Sequence, residues 1–225
     1  MRNRKTILAA LSVVGVAVLV LAGGLMASNM GFKLNLPLVA AGGTSASGTN
    51  YIGVPYNQQV GLVTAKDLFL DIQKGGAVQF LNQHRKIDDG FEVYTFGGGT
   101  LPPDGWNLTA GEAYIAKVGG DQNYIIVGSH NPGLTISLVG AGAGSASGTN
   151  YYVHPYHGVA ATAKDLFLEV GGDVQFLNQH RKIDDGFEVY TFGGGTLPPD
   201  GWPLQAGEGY IVKIGSDKDF VPQHY

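Results

Sequence analysis

The sequence predicts a mainly β protein: two tandem homologous β-sandwich or barrel-like domains, each with one short α-helix, after an N-terminal apolar helix. Three observations predict it. A unit of about 95 to 100 residues occurs twice in the 225-residue chain. Within each unit, short runs rich in β-branched and aromatic residues are bounded by Gly, Pro, Asn or Asp. Ahead of the first unit, residues 7–27 carry no charge.

The repeat is read from four phrases. SASGTNY stands at 45–51 and 145–151, and TAKDLFL at 64–70 and 162–168. VQFLNQHRKIDDGFEVYTFGGGTLPPDGW, 29 residues, runs from Val78 to Trp106 and again, unchanged, from Val174 to Trp202. NLTAGEAYIAKVGGDQNYIIV (107–127) then answers to PLQAGEGYIVKIGSDKDFVPQ (203–223). The resulting division is 1–28 as signal peptide or membrane anchor, 29–132 as repeat 1 and 133–225 as repeat 2.

The strands follow from alternation and from turn residues. FKLNLPLV, NYIGVPY, VQFLNQHR, FEVYTFGG, EAYIAKV and NYIIVGS are the six strand candidates of repeat 1. The alternation is imperfect: FEVYTF carries aromatics on both faces, which implies cover on both sides of the sheet. That second cover is another sheet, the helix, the neighbouring repeat or another molecule. In TAKDLFLDIQKGG, Ala65, Leu68, Phe69 and Ile72 follow helical spacing. Thr64 with Asp67 forms a capping box and Gly75-Gly76 a stop.

Composition excludes several classes. At 44% apolar and 14% charged the chain is too apolar for disorder. It has no cysteine, which removes disulfides, thiolate catalysis and Cys-based metal centres. A net charge of −4, without a basic patch, argues against nucleic acid. Arg2, Arg4 and Lys5 before the apolar run, and small residues after it, form an export signal. Retained, the same run is long enough to anchor the chain in a bilayer. Either way the repeats lie outside the cell, extracellular or at the cell surface.

Four motifs carry candidate chemistry. HRKIDDG (84–90) gathers His84, Asp88 and Asp89, a base and carboxylates. Asp89-Gly90 is also a hairpin signal, and on a hairpin Arg85, Lys86, Asp88 and Asp89 form a solvated tip. No nucleophile accompanies them in the repeated block, so the structural reading is preferred. HPYH places His154 and His157 three apart, but Pro155 intervenes and repeat 1 has Val54 and Asn57 there. PPDGW presents Trp106 and Trp202 after a turn, as candidate stacking faces for sugar rings or as plugs over a core. Asp104 and Asp200 lack the companions that calcium needs. Asn107-Leu108-Thr109 is a glycosylation sequon without a counterpart in repeat 2. No catalytic residue, metal site or cofactor is expected.

At AGEAYIAKV (110–118) and AGEGYIVKI (206–214), each preceded by a Trp-containing turn, the units resemble repeats of uncharacterised bacterial secreted and cell-surface proteins with tandem β-domains. The resemblance spans GTNYIGVPY through the TAKDLF helix to the YIVK strand. It implies an exported β-domain with a surface or structural role and brings no catalytic residues.

The expected function is therefore a non-enzymatic extracellular structural protein, a filament or surface-layer subunit whose partner is itself. The alternative is a secreted carbohydrate-binding or adhesion module that meets polysaccharide or cell envelope. GLTISLVG (133–140) follows the last strand of repeat 1, whereas nothing follows DFVPQHY in this sequence. Residues 30–39, with Phe32, Leu34, Leu36 and Leu38 on one face, are thus expected to complete the second repeat of a neighbouring molecule. The competing expectation is that each leading strand closes its own repeat.

Overall fold

A computed structural model describes residues 32–55, 61–97, 103–129, 131, 133–142, 144–193 and 198–224. The expected N-terminal apolar helix lies outside the described residues, and among these no helix is long and apolar enough to cross a membrane. The described chain is mainly β, built from two similar four-stranded antiparallel sheets.

Repeat 1 contains β1 (Phe32–Leu38), β2 (Thr49–Gly53), α1 (Ala65–Gln73), β3 (Val78–Arg85), β4 (Gly90–Tyr94), β5 (Ala113–Val118) and β6 (Gln122–Gly128). Repeat 2 follows with β7 (Ile136–Leu138), β8 (Thr149–Val153), α2 (Ala163–Val170), β9 (Val174–Arg181), β10 (Gly186–Tyr190), β11 (Gly209–Ile214) and β12 (Lys218–Phe220). The large sheets have the same order, β2-β5-β3-β4 and β8-β11-β9-β10, all antiparallel.

The outermost strands form separate two-stranded ribbons. β1 pairs with β6 over seven residues, from Phe32 opposite Gly128 to Leu38 opposite Gln122. β7 pairs with β12 over three, Ile136 opposite Phe220 to Leu138 opposite Lys218. Each leading strand therefore pairs within its own repeat, and β7 lies beside β12 rather than β6. The second ribbon is short because Pro222, two residues past Phe220, has no N–H to continue the ladder.

Both helices begin as their sequence requires. Thr64 Oγ1 accepts from the Asp67 amide while the Asp67 carboxylate accepts from the Thr64 amide, and Thr162 with Asp165 repeats the arrangement. One apolar face of α1, with Ala65, Leu68, Phe69 and Ile72, joins Leu36, Leu81 and Tyr114 in the core of repeat 1. The core of repeat 2 is built alike around Leu166, Leu177 and Tyr210.

A third cluster belongs to neither repeat alone: Tyr51, Ala113, Ile115, Tyr151, Val153 and Ile211. It supplies a second cover for β2 and β5 and their counterparts, whereas FEVYTF, where two covers were expected, keeps Phe91 and Val93 41% and 48% exposed. In β2 the adjacent residues Asn50, Tyr51, Ile52 and Gly53, which point alternately to opposite faces, are all buried. One face meets the helix and the ribbon; the other meets the neighbouring repeat.

Candidate functional site at the repeat junction

The junction is reciprocal. Ala46 N donates to Lys182 O at 2.8 Å, and Ala146 N to Lys86 O at 2.9 Å. Ser47 Oγ donates to Asp185 at 2.8 Å, and Ser147 Oγ to Asp89 at 2.9 Å. Gly53 N reaches Gly207 O at 3.1 Å, and Val153 N reaches Gly111 O at 3.0 Å. Each of these contacts has a counterpart with the repeats exchanged, the mark of an approximate two-fold axis.

Two exactly repeated phrases make this contact. SASGTNY is the socket. In it Gly48 (φ +79°) and Gly148 (φ +78°) hold a backbone conformation in which a Cβ would run into the chain beside it, at Val118 O and Ile214 O respectively. Their amides donate to Ser45 Oγ and Ser145 Oγ, both buried. Asn50 and Asn150, also buried, accept from the amides of Val39 and Val139 and so clip the leading strands to the socket.

HRKIDDG is the plug. Lys86–Asp89 link β3 to β4, and Asp89 adopts φ +53°, a left-handed conformation that Asp tolerates. The Asp88 carboxylate accepts from Arg85 Nη2 at 2.6 Å and from the Gly90 amide at 3.0 Å, which rigidifies the turn. The solvated tip is found for Arg85, Asp88 and Asp89, which are exposed, and the tip also makes contacts that the sequence did not suggest. Ile87 remains 70% exposed, but Asp89 docks on Ser147, Lys86 is bonded through its carbonyl and its Nζ to repeat 2, and His84 is 6% exposed. Of the tip's charges, Asp89 and Lys86 find partners on the other repeat, while Arg85 and Asp88 pair with each other in the hairpin.

Four rings form a column through the junction: His84 over Tyr151 (4.6 Å between centroids), Tyr151 over Tyr51 (5.8 Å), and Tyr51 over His180 (4.7 Å). Phe91 and Phe187 close its ends edge-on to Tyr151 and Tyr51. Burial pushes both tyrosine hydroxyls above their ordinary range. Burial likewise lowers the pKa of His84 and His180, against the opposing pull of Asp89 and Asp185 at 3.4 Å. Each Nε2 faces its aspartate, while each Nδ1 is buried with no hydrogen-bond partner. A second ring proton would have no acceptor, so the neutral form fits the site.

Ser147, Asp89 and His84 bring three reactive residue types together, in an order unsuited to nucleophile activation. A serine is activated by a base that touches it. Here the aspartate stands between, accepting from Ser147 on one side and facing His84 Nε2 on the other. What this arrangement does chemically is hold two repeats in register.

Small residues set how closely the sheets approach. Gly53 and Val153 occupy equivalent places and face one another: a Cβ on Gly53 would lie 2.5 Å from that of Val153. Ala113 and Gly209 are equally matched, with a Cβ on Gly209 2.7 Å from that of Ala113. Each repeat thus supplies one knob and one hole, with the assignments reversed at the two places.

Trp106 and Trp202 are 9% and 5% exposed, the core plug of the two readings and not the free stacking face. Trp106 stacks on Tyr114 and receives the edge of Tyr94; Tyr190 meets Trp202 in the same way. The Asp-Gly-Trp turn is a helix cap. Trp106 O accepts from Ala65 N at 2.8 Å, Asp104 O from Lys66 N at 3.1 Å, and the Asp104 carboxylate takes Lys66 Nζ at 2.9 Å. Because the indole fills the space between helix and sheet, Trp106→Ala should destabilise the protein by about 3–5 kcal/mol, read by urea unfolding.

The remaining sequence candidates lie apart. His154 is buried, with Nδ1 3.3 Å from Tyr152 Oη, and burial lowers its pKa to about 4. His157 sits with its ring edge on Phe32 and Tyr156. No three His, Asp or Glu side chains among the described residues are grouped to hold a metal ion. On β1, Leu36 and Leu38 enter the core of repeat 1, while Leu34 and Leu36 close over Gly207 of repeat 2. Phe32 lies 5.2 Å from the ring of Tyr156.

Sequence reasoning missed the junction, although its signal is visible: socket and plug are both duplicated without change, and the Gly53/Val153 and Ala113/Gly209 differences are complementary in size. No family model, curated protein or solved structure matches the chain.

Proposed function

We propose that this protein is a non-enzymatic, exported structural subunit that assembles head-to-tail with copies of itself by strand addition of β1. The observation that carries the reading is the position of β1. It stands at the edge of a two-stranded ribbon, and among the described residues its only strand partner is β6. Its polar residues Lys33 and Asn35 face outward, and Leu34, Leu36 and Leu38 face in. A neighbour's β1 placed in that groove remakes the same seven-residue register, so exchange sacrifices no contact. Because donor and groove lie on one chain, serial exchange extends a filament. The groove of β12 is a poorer recipient, offering three paired positions where β6 offers seven.

The export signal at the start of the sequence and the chain's lack of cysteine agree with an extracellular setting where stability comes from packing and assembly. The test is removal of residues 29–39. The shortened protein should remain folded, with a lowered melting temperature, and form no filaments by electron microscopy. A synthetic peptide of residues 30–39 should raise the melting temperature again. Fibres from the shortened protein would eliminate β1 as the connector.

A further inference from the structure

We propose that the repeat junction also serves for domain exchange: when chains fold together at high concentration, repeat 1 of one chain docks on repeat 2 of another through the same plug, socket and ring column that join them within one chain. The partner is a second copy of this protein. The inference rests on the reading of the chain as self-associating, but not on β1.

The first argument is reciprocity. Each repeat carries both a socket, residues 45–51 or 145–151, and a plug, residues 84–90 or 180–186. None of these contacts depends on the two repeats being in one polypeptide. They are joined only by the seven residues between β6, ending at Gly128, and β7, beginning at Ile136. A short linker gives the attached repeat an effective concentration of order mM, which favours closure within one chain. A linker that cannot span the junction gives almost none, and a second chain then fills the vacancy with identical contacts.

The second argument is specificity. Two copies of repeat 2 brought together would set Val153 against Val153, where a Cβ on Gly53 alone already comes within 2.5 Å of Val153. Two copies of repeat 1 would set Gly53 against Gly53 and leave a void. The junction therefore selects repeat 1 with repeat 2. That pairing between chains closes after two molecules or continues as an open series.

The absence of cysteine permits a clean test in the full-length chain. Ala146→Cys is placed in one chain and Lys86→Cys in another; their backbones meet at 2.9 Å, and Ser147 and Asp89 stay intact. Both proteins are folded separately, mixed, and treated with a short bis-maleimide. No cross-chain product is expected. Unfolded together in denaturant and refolded at high concentration, they should give the cross-chain product, and Gly53→Val in both should abolish it. A chain lacking residues 129–133 should be dimeric or larger by light scattering and cross-link without denaturation. The proposal is overturned if the refolded mixture gives no cross-chain product while A146C/K86C in one chain does cross-link. It is equally overturned if the chain lacking 129–133 is folded and monomeric. The cross-link reads positions 86 and 146 at the junction and not β1, so its outcome is separable from whether removing residues 29–39 abolishes filaments.

Discussion

Replacing Gly53 by Val should be among the most damaging single changes in the protein, although valine favours strands. The new side chain would have to occupy space already held by Val153 and the Glu112 carbonyl, 2.5 and 2.7 Å from the Cβ position. Overpacking in a well-filled core costs about 1–3 kcal/mol, more where backbone must move. Here the backbone on both sides is fixed by the Gly53–Gly207 and Val153–Gly111 hydrogen bonds, so a loss of about 3 kcal/mol is expected. Val153→Gly should cost about 2–4 kcal/mol by opening a cavity. The double variant, Gly53→Val with Val153→Gly, moves the knob to the other repeat. It should be more stable than the sum of the single losses predicts by at least about 1 kcal/mol. Urea unfolding of the four proteins gives the cycle directly. Additive losses would mean that the two residues do not share one space.

Acidification below pH 6.5 should destabilise the protein through its buried histidines. For His154 the folded state holds the ring pKa at about 4, below the ordinary value near 6.5, because burial penalises the charged imidazolium. The sign follows from proton counting. Between pH 6.5 and 4 the unfolded chain binds a proton at this ring and the folded chain does not, so stability falls as pH falls. Above pH 6.5 both states are neutral and the contribution is complete. Each pKa unit corresponds to about 1.4 kcal/mol, so His154 alone withdraws about 3 kcal/mol by pH 4. His84 and His180, lowered by burial in the ring column, act in the same direction. Repeat 1 carries Val54 at the place of His154, so His154→Val suits the fold. Melting temperatures from pH 7.5 to 4.5 should fall steeply for the parent and less for H154V. Parallel curves would show that His154 titrates normally.

Much of the fold was legible in the sequence, for local reasons. Thr64 and Asp67 specify the helix start through backbone amides three residues apart, and alternating leucines in FKLNLPLV specify a strand with one wet face. Aromatics on both faces of FEVYTF suggested two covers, but Phe91 and Val93 stay exposed there, and the doubly covered strands are β2 and β5. What could not be read was which cover lay where, because that depends on contacts between segments about a hundred residues apart. HRKIDDG illustrates the difficulty: its charges are exposed as a hairpin tip requires, yet nothing local announces Ser147 or the Lys86–Ala146 bond. PPDGW illustrates the converse. A tryptophan after a Pro-Gly turn reads equally as a platform or a plug, and only the stacking of Trp106 on Tyr114 decides. The junction was the least legible feature, since its meaning lies in a comparison of the two copies, residue by residue, at Gly53, Val153, Ala113 and Gly209.

The four-ring column has a consequence for how the molecule comes apart. Duplicated domains strung on a linker commonly behave as beads, each melting by itself. Here His84 belongs by sequence to repeat 1 but rests on Tyr151, and His180 rests on Tyr51. Neither repeat can loosen without stripping aromatic surface from its twin. The two repeats should therefore unfold as one cooperative unit, a single transition by calorimetry, with damage to either half felt by the whole.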